Sequence, residues 1–187
     1  MAMEQTIIAN KKMLDSFKAR LAKEGSGHLL VIADFDRTLT EGWLGDEETG
    51  KRVPSLVLIL RDEPGYLSPD YAKKAKALAD KYHPLELDPS LNKKEKIEAM
   101  NEWWAKHFKL LIDSGLQKRD VERVVMSKNL KIRNGFIDLL KILEKLNVPL
   151  VINTASGFGI EGVKIFFKKR AFLPKNLYII SNEFVWN

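Results

Sequence analysis

The chain has 187 residues, of which 45% are hydrophobic and 30% charged, a composition typical of a globular protein with a core and room for a sizeable insertion. It has no cysteine, which excludes a disulfide framework, and no apolar run long enough for a membrane span or a signal-peptide core, so we expect no membrane partner and a cytoplasmic location. The net charge of +6 favours anionic partners, but Lys and Glu are interspersed along the chain, so we expect no dedicated nucleic-acid binding.

The N-terminal part predicts a helix followed by a strand. Residues 4–24 have an amphipathic pattern, and we expect this helix to pack against the sheet; its apolar stripe is Ile7, Leu14, Phe17 and Leu21. The apolar run His28–Ala33 follows Gly25-Ser26-Gly27, and a short run bounded in this way predicts a buried strand of a parallel sheet.

Two carboxylates, Asp34 and Asp36, come directly after this strand. Parallel sheets bind ligands at the carboxyl ends of their strands, and neighbouring acids repel unless a cation or a shared proton relieves them. The pattern indicates phosphoryl transfer, in which one carboxylate attacks phosphorus, the other handles the proton and a divalent cation screens the phosphate. The alternative is an Asx-turn pair in which both acids are only solvated.

A polar, glycine-rich connection follows Thr40 and contains the acids Asp46, Glu47 and Glu48, which makes it a candidate domain boundary. Three helical patterns come after it. The first begins at Ser68-Pro69 and is expected to stop at His83-Pro84. The other two are a long helix from Asn92 to Gly115, with a capping box formed with Glu95, and a short helix containing Val121, Val124 and Val125.

From Gly135 onwards helical and strand patterns alternate. The predicted elements are a helix at 136–146, a strand at 148–153, a helix from Ile160 and a strand at 177–180. Such alternation implies a parallel sheet with right-handed crossovers. We therefore expect an α/β fold with a Rossmann-like parallel-sheet core, residues 1–40 and 134–187, and an inserted α-helical cap, residues 41–133.

The turn after the second strand of the sheet is a second candidate site. A hydroxyl followed by free backbone N–H groups at a helix N-terminus suits phosphate oxygens, which makes Thr154, Ala155 and Ser156 candidate substrate-binding residues. A tight turn without a ligand is the alternative. Thr154 is preferred over Ser156 for the key hydroxyl because it directly ends the strand.

Two features of the helical region stay open from the residues alone. Glu86 lies in a proline-bounded segment predicted to link two helices, where it reads as a surface acid. Trp103 and Trp104 follow a helical stripe, which favours packing, although an aromatic side chain could also stack on a base.

The stretch Asp34–Thr40 resembles the first motif of the haloacid dehalogenase superfamily. More narrowly, the chain resembles the cytosolic pyrimidine 5′-nucleotidase family from about residue 28 to its end. The stretches that carry this resemblance are Lys81–Pro89, Glu95-Lys96 with Met100, Glu102–Trp104, Leu110-Leu111, Asn134–Phe136, Pro149–Gly157 and Ser181-Asn182.

The resemblance implies a magnesium-dependent phosphatase of haloacid dehalogenase-like fold that acts on nucleoside 5′-monophosphates. Asp34 would be the nucleophile that forms a phospho-aspartyl intermediate, and Asp36 would protonate the leaving oxygen and later activate water. Mg²⁺ would be held by a carboxylate oxygen of Asp34 and the backbone carbonyl of Asp36. Thr154 would hold a phosphate oxygen, and Glu86 would contact the nucleobase.

The chain departs from the family pattern in two places. His107 stands where the family carries a small hydroxyl residue near the base, so it is a candidate substrate-binding residue and the base preference is open. The family's later motifs, with a lysine and acidic metal ligands, have no counterpart up to Asn187, so we expect a core that is incomplete at the C-terminus, with a missing segment or a second chain completing the site. The alternatives are a truncated, non-catalytic nucleotide-binding remnant and a different phosphatase of the same superfamily.

Overall fold

The computed structural model describes residues 7–45 and 50–186. The strands are β1 Val31–Ala33, β2 Trp43–Leu44, β3 Lys51–Arg52, β4 Leu150–Asn153 and β5 Leu177–Ile180. The helices are α1 Lys11–Glu24, α2 Leu56–Asp62, α3 Pro69–Leu87, α4 Lys93–Asp113, α5 Lys118–Val125, α6 Phe136–Lys145 and α7 Gly159–Arg170. Strands β1, β4 and β5 form a parallel sheet in the order β1–β4–β5, so the predicted α/β fold is confirmed.

The register of the sheet brings the two predicted site segments together at the carboxyl end of the strands. Ala33, the last residue of β1, pairs with Ile152 in the central strand β4, and Ile152 pairs in turn with Ile179. All three strands run in the same direction, so their carboxyl ends lie on the same side of the sheet. Asp34 and Thr154, which follow β1 and β4, therefore lie at neighbouring positions of this edge.

The expectation that the first strand is buried is wrong for one of its two faces. The side chains of Leu30 and Ile32 are 54% and 64% exposed, and on the edge strand β5 Tyr178 is 59% exposed. Leu150 and Ile152 of the central strand are buried in the core, which includes Phe166 of α7. Within residues 7–45 and 50–186 the hydrophobic core therefore lies on one face of the sheet only.

Helix α1 also differs from its prediction. It begins at Lys11 rather than residue 4, because the side chain of Asn10 caps it by accepting a hydrogen bond from the amide of Met13 at 2.9 Å; residues 4–6 lie outside the described residues. The helix buries none of its side chains, and Phe17 is 45% exposed. It contacts the 3₁₀ turn Ser26–His28. Contrary to the expectation, it does not pack against the sheet.

The helices between β3 and β4 follow the sequence patterns except at one end. Asn92 and Glu95 form the predicted capping box of α4, and α5 buries its three valines. Helix α3, however, continues through Pro84 to Leu87 instead of stopping there. The packing of α3 on α4 supports this last turn, with the buried Tyr82 ring stacked on Trp103 at a centroid distance of 6.0 Å. Tertiary packing outweighs the single hydrogen bond that a proline removes.

The glycine-rich connection is partly a β-ribbon, in which β2 and β3 pair as antiparallel strands; the predicted acids Asp46, Glu47 and Glu48 lie outside the described residues. The two ends of the helical region lie side by side, because Thr40 and Ile132 form an antiparallel bridge. The division at residues 40 and 134 stays a proposal. No helix in the described part of the chain is long and apolar enough to cross a membrane.

Candidate functional site

The loop after β1 is anchored by Phe35, which lies between the two aspartates in sequence. Phe35 is fully buried and contacts Phe166 edge to face at a centroid distance of 4.9 Å. Its carbonyl oxygen accepts a hydrogen bond from the amide of Leu39 at 3.1 Å, which closes the turn. With Phe35 fixed in the core, the carboxylates on either side point elsewhere: Asp34 is exposed and Asp36 is half-buried.

Asp36 is electrostatically unusual. Burial, followed by the negative charge of Asp34, raises its pKa from the ordinary 3.8 to about 6, against the opposing effect of Arg37. Its Oδ1 atom is buried and has no hydrogen-bond partner among the described residues. A carboxyl group whose pKa lies near neutrality can both donate and accept a proton, which suits it to general acid–base work.

The turn after β4 brings Ser156 rather than Thr154 to this acid. The hydroxyl oxygen of Thr154 accepts a hydrogen bond from the amide of Ser156 at 3.1 Å, so it is used within the turn. The Ser156 hydroxyl has no partner within the described chain, and it is close enough to Asp36 to lower the pKa of that carboxyl. Of the two hydroxyls that the sequence left open, Ser156 has the geometry of a ligand-facing group.

A cavity of about 460 Å³ lies over Asp36. The strand-end turns form its floor with Asp36 and the run Ala155–Gly157, and helices α3 and α4 form its roof with His83, Trp103, Trp104 and His107. Asp34, Thr154 and Glu86 are not among its lining residues. The volume is in the range of small-molecule sites, and aromatic rings opposite a polar floor are suited to an organic ligand with an anionic end.

Gly157 allows helices α2 and α4 to pack closely against the turn after β4. A Cβ atom at this position would overlap the side chain of Val57 in α2 and would lie 3.2 Å from the ring of Trp104. Only a residue without a side chain leaves room for both contacts, so the close approach depends on the glycine.

His107 is a buried residue of the cavity lining. It is 4% exposed, and burial lowers its pKa to about 4, so the ring is neutral at physiological pH. Its Nε2 atom has no hydrogen-bond partner in the described chain. The ring lies edge to face against Trp104 at 5.8 Å, which fixes its orientation. A neutral imidazole with a free nitrogen can recognise a polar group of a ligand.

The sequence suggested that Glu86 lies in a linker between two helices. In the structure it lies on the last turn of α3. Its carboxylate pairs with Nδ1 of His83 at 3.1 Å, and both side chains are about half exposed. His83 lines the cavity, and Glu86 stands behind it. The predicted contact between Glu86 and a base therefore stays a prediction, with His83 between this acid and the cavity.

Three cationic side chains line the cavity, and sequence reasoning missed them. They are Arg37, Arg52 and Arg61. Arg61 forms two hydrogen bonds to Asp62, of 2.6 Å and 2.8 Å, so its charge is compensated. Arg37 was detectable, since it lies within the Asp34–Thr40 motif, whereas only the fold brings Arg52 to it.

The two aspartates fit a divalent cation of the hard type. Mg²⁺ is typically held by one or two carboxylates, with waters and phosphate oxygens completing its shell. Asp36 has an unpartnered buried oxygen, and the exposed carboxylate of Asp34 lies on the same loop. No cluster of three or more His, Asp or Glu residues that could hold a metal occurs in the described ranges.

Known proteins are similar to most of this chain. Residues 38–187 match the family described as Pyrimidine 5′-nucleotidase (UMPH-1). The 7-methylguanosine phosphate-specific 5′-nucleotidase of Homo sapiens is 36% identical over 167 residues, 89% of this chain and 53% of that protein. The protein of that name from Gallus gallus is 35% identical over 162 residues, 87% of this chain and 54% of that protein. The chain thus spans about half the length of these relatives.

The fold has a counterpart among solved structures. The crystal structure of cytosolic 5′-nucleotidase IIIB bound to cytidine matches with a TM-score of 0.79 and 23% sequence identity, covering 100% of this chain and 60% of that one. At that identity the similarity concerns the fold. The family match extends over most of the chain and includes Thr38, Ser156 and the cavity roof, so the chain belongs to the pyrimidine 5′-nucleotidase family.

Proposed function

We propose that this chain carries the catalytic aspartates and the nucleotide pocket of a 5′-nucleotidase, which hydrolyses nucleoside 5′-monophosphates through a phospho-aspartyl intermediate. One observation supports this most directly. A half-buried acid with a pKa of about 6, Asp36, faces a cavity whose far wall is aromatic. This arrangement suits a ligand with a phosphate at one end and a base at the other.

In the first step a carboxylate oxygen of Asp34 attacks the phosphorus atom. A bond forms between this oxygen and phosphorus, the bond from phosphorus to O5′ breaks, and protonated Asp36 donates its proton to O5′. A phosphate dianion beside Asp36 raises its pKa further, which increases the protonated fraction when substrate is bound. A carboxylate oxygen of Asp34 and the backbone carbonyl of Asp36 would hold Mg²⁺, which would supply positive charge that screens the phosphate from the nucleophile.

In the second step water cleaves the acyl phosphate. Asp36, now ionised, accepts a proton from the water as its oxygen bonds to phosphorus, and the bond between phosphorus and Asp34 breaks to release phosphate. Ser156, with its free hydroxyl beside Asp36, is suited to hold a phosphate oxygen. The aromatic roof would exclude bulk water from both steps.

The test is phosphate release from CMP and UMP with MgCl₂. We expect turnover to be abolished in Asp34→Asn and Asp36→Asn and retained in Asp138→Asn, which removes an exposed acid on α6. Binding of CMP without release of phosphate would favour the non-catalytic nucleotide-binding alternative. Release from phosphoserine but not from nucleotides would favour a different phosphatase of the superfamily.

A second substrate, 7-methylguanosine monophosphate, has support in the cavity roof. Trp103 and Trp104 both line the cavity, and a positively charged methylated base interacts more strongly with aromatic faces than a neutral base does. The human and chicken relatives are named for this specificity. Trp104→Leu would then raise KM for 7-methylguanosine monophosphate more than KM for CMP, whereas equal changes would contradict this substrate.

The remaining expectations follow from the same proposal. The partner is a small-molecule nucleotide, and Glu86→Ala would change the base preference through His83, with which it pairs. We also propose a cytosolic location, which agrees with the name of the structural relative.

A further inference from the structure

The proposed reaction brings a phosphate dianion next to two carboxylates, so the site needs fixed positive charge. Lys164, Lys168 and Lys169 lie on α7 and do not line the cavity. Of the three arginines that do, Arg61 is bound by Asp62. Arg37 and Arg52 are the cations that remain among the lining residues.

The backbone holds Arg37 in an unusual conformation. Its φ is 64°, in the left-handed region that residues with a side chain seldom adopt. The surrounding loop maintains it: the amide of Arg37 donates to the hydroxyl of Thr40 at 2.8 Å, and its carbonyl accepts from the guanidinium of Arg133 at 2.6 Å. Strain that is kept in this way is typical of functional positions.

The guanidinium of Arg37 is also positioned, and part of it remains available. Its Nε atom donates to the carbonyl of Val53 at 3.2 Å, while no described residue accepts from its two terminal nitrogens. A guanidinium fixed through Nε presents its Nη donors in one plane, the geometry in which arginine binds phosphate oxygens.

Arg52 lies on the β2–β3 ribbon and lines the same cavity as Arg37. It is the last residue of β3, directly before Val53, whose carbonyl holds Arg37. Both arginines line the cavity with Asp36, and in residues 7–45 and 50–186 no carboxylate lies within 4.0 Å of either guanidinium group. Two like charges brought together at the mouth of a cavity are stabilised when an anion binds between them.

We propose that Arg37 and Arg52 form an anion clamp for the non-transferred phosphate oxygens of the substrate, an inference that rests on the proposed nucleotidase function. The clamp neutralises the dianion before Asp34 attacks it. It also orients the phosphorus atom, since Arg37 directly follows Asp36 in the loop that carries both acids.

The experiment measures binding of inorganic phosphate and of CMP, by calorimetry at fixed ionic strength and fixed MgCl₂. We expect Arg37→Gln and Arg52→Gln each to weaken phosphate binding about tenfold or more, the effect of one charged hydrogen bond. Arg37→Lys should recover part of the loss, because the charge remains and the fork geometry does not. Arg20→Gln on α1 is the matched control, since it removes an exposed arginine that does not line the cavity, and should bind like the parent.

The outcomes separate the two proposals. If the parent binds phosphate and CMP, and Arg37→Gln and Arg52→Gln bind them equally well, the clamp is overturned. The proposed nucleotidase function is not affected by that result. A parent chain that binds neither phosphate nor CMP would overturn the nucleotidase function, and the clamp with it. Arg52 lies in a two-residue strand at the surface, so its variant tests the clamp even if Arg37→Gln disturbs the strained loop.

Discussion

Replacing Asp36 by asparagine should stabilise the protein at neutral pH while it abolishes turnover. The pKa of Asp36 is raised from 3.8 to about 6, chiefly by burial and then by Asp34. A carboxyl whose pKa is higher in the folded state than in the unfolded state opposes folding once it ionises. At about 1.4 kcal/mol for each pKa unit, the cost at pH 7 is about 3 kcal/mol.

The sign of this effect fixes its pH dependence. Below pH 3.8 Asp36 is protonated in both states and costs nothing, and the cost develops as the pH rises through the range from about 4 to about 6. Asparagine stays neutral throughout, and its isosteric side chain displaces no hydrogen bond of Oδ1, which has no partner in the described chain. The difference in stability between Asp36→Asn and the parent should therefore be near zero at pH 3.5 and reach about 2–3 kcal/mol at pH 7.

Urea unfolding in EDTA at a series of pH values measures this difference. Asp138→Asn is the control, because the carboxyl of Asp138 is 77% exposed and only weakly paired with Lys141. Its difference from the parent should stay flat over the same range. A difference for Asp36→Asn that is flat too, or negative at pH 7, would refute the electrostatic account of the site.

Three further predictions concern packing around the cavity. Gly157→Ala should destabilise the protein by about 1–3 kcal/mol and raise KM for nucleotides, because the new methyl group would overlap Val57 in α2; urea unfolding and steady-state kinetics measure both effects. Phe35→Ala should cost about 3–5 kcal/mol in unfolding free energy, since this ring is fully buried and anchors the loop of both aspartates. His107→Phe should leave thermal stability unchanged or higher, because it removes a buried unpartnered nitrogen, yet change the ratio of kcat/KM values for two bases.

Each of these has a matched control. Gly27→Ala adds a methyl group where no atom lies within 4 Å, so its stability should stay within about 0.5 kcal/mol of the parent. Phe35→Leu keeps much of the buried volume and should cost less than the alanine variant. If the Gly157→Ala protein is as stable as the Gly27→Ala protein, the close contact of Gly157 with Val57 is contradicted. If the ratio of kcat/KM values for two bases is unchanged in His107→Phe, His107 does not take part in base recognition.

Local signals in the sequence predicted much of this fold. The capping box of Asn92 and Glu95 is formed, and the short apolar run at 177–180 is the strand β5. These features depend on hydrogen bonds and hydrophobic periodicity among neighbouring residues, so the local sequence pattern predicts them. Positioning both site segments at one sheet edge followed from strand direction, which a parallel sheet imposes.

The features that failed prediction depend on distant partners. The stop at Pro84 was overridden by packing between α3 and α4, and the exposure of Ile32 depends on what covers the sheet. Neither feature can be read from a local pattern, because each is decided by residues that are far apart in the sequence.

The sequence by itself determined that Asp34 and Asp36 follow a strand of a parallel sheet, since residue order and strand polarity suffice for this. Only the tertiary structure decided that Asp36 titrates near pH 6, that His107 is neutral and buried, and that Arg52 meets Arg37. Burial and electrostatic interactions act through space, so they are fixed only when segments far apart in the chain come together.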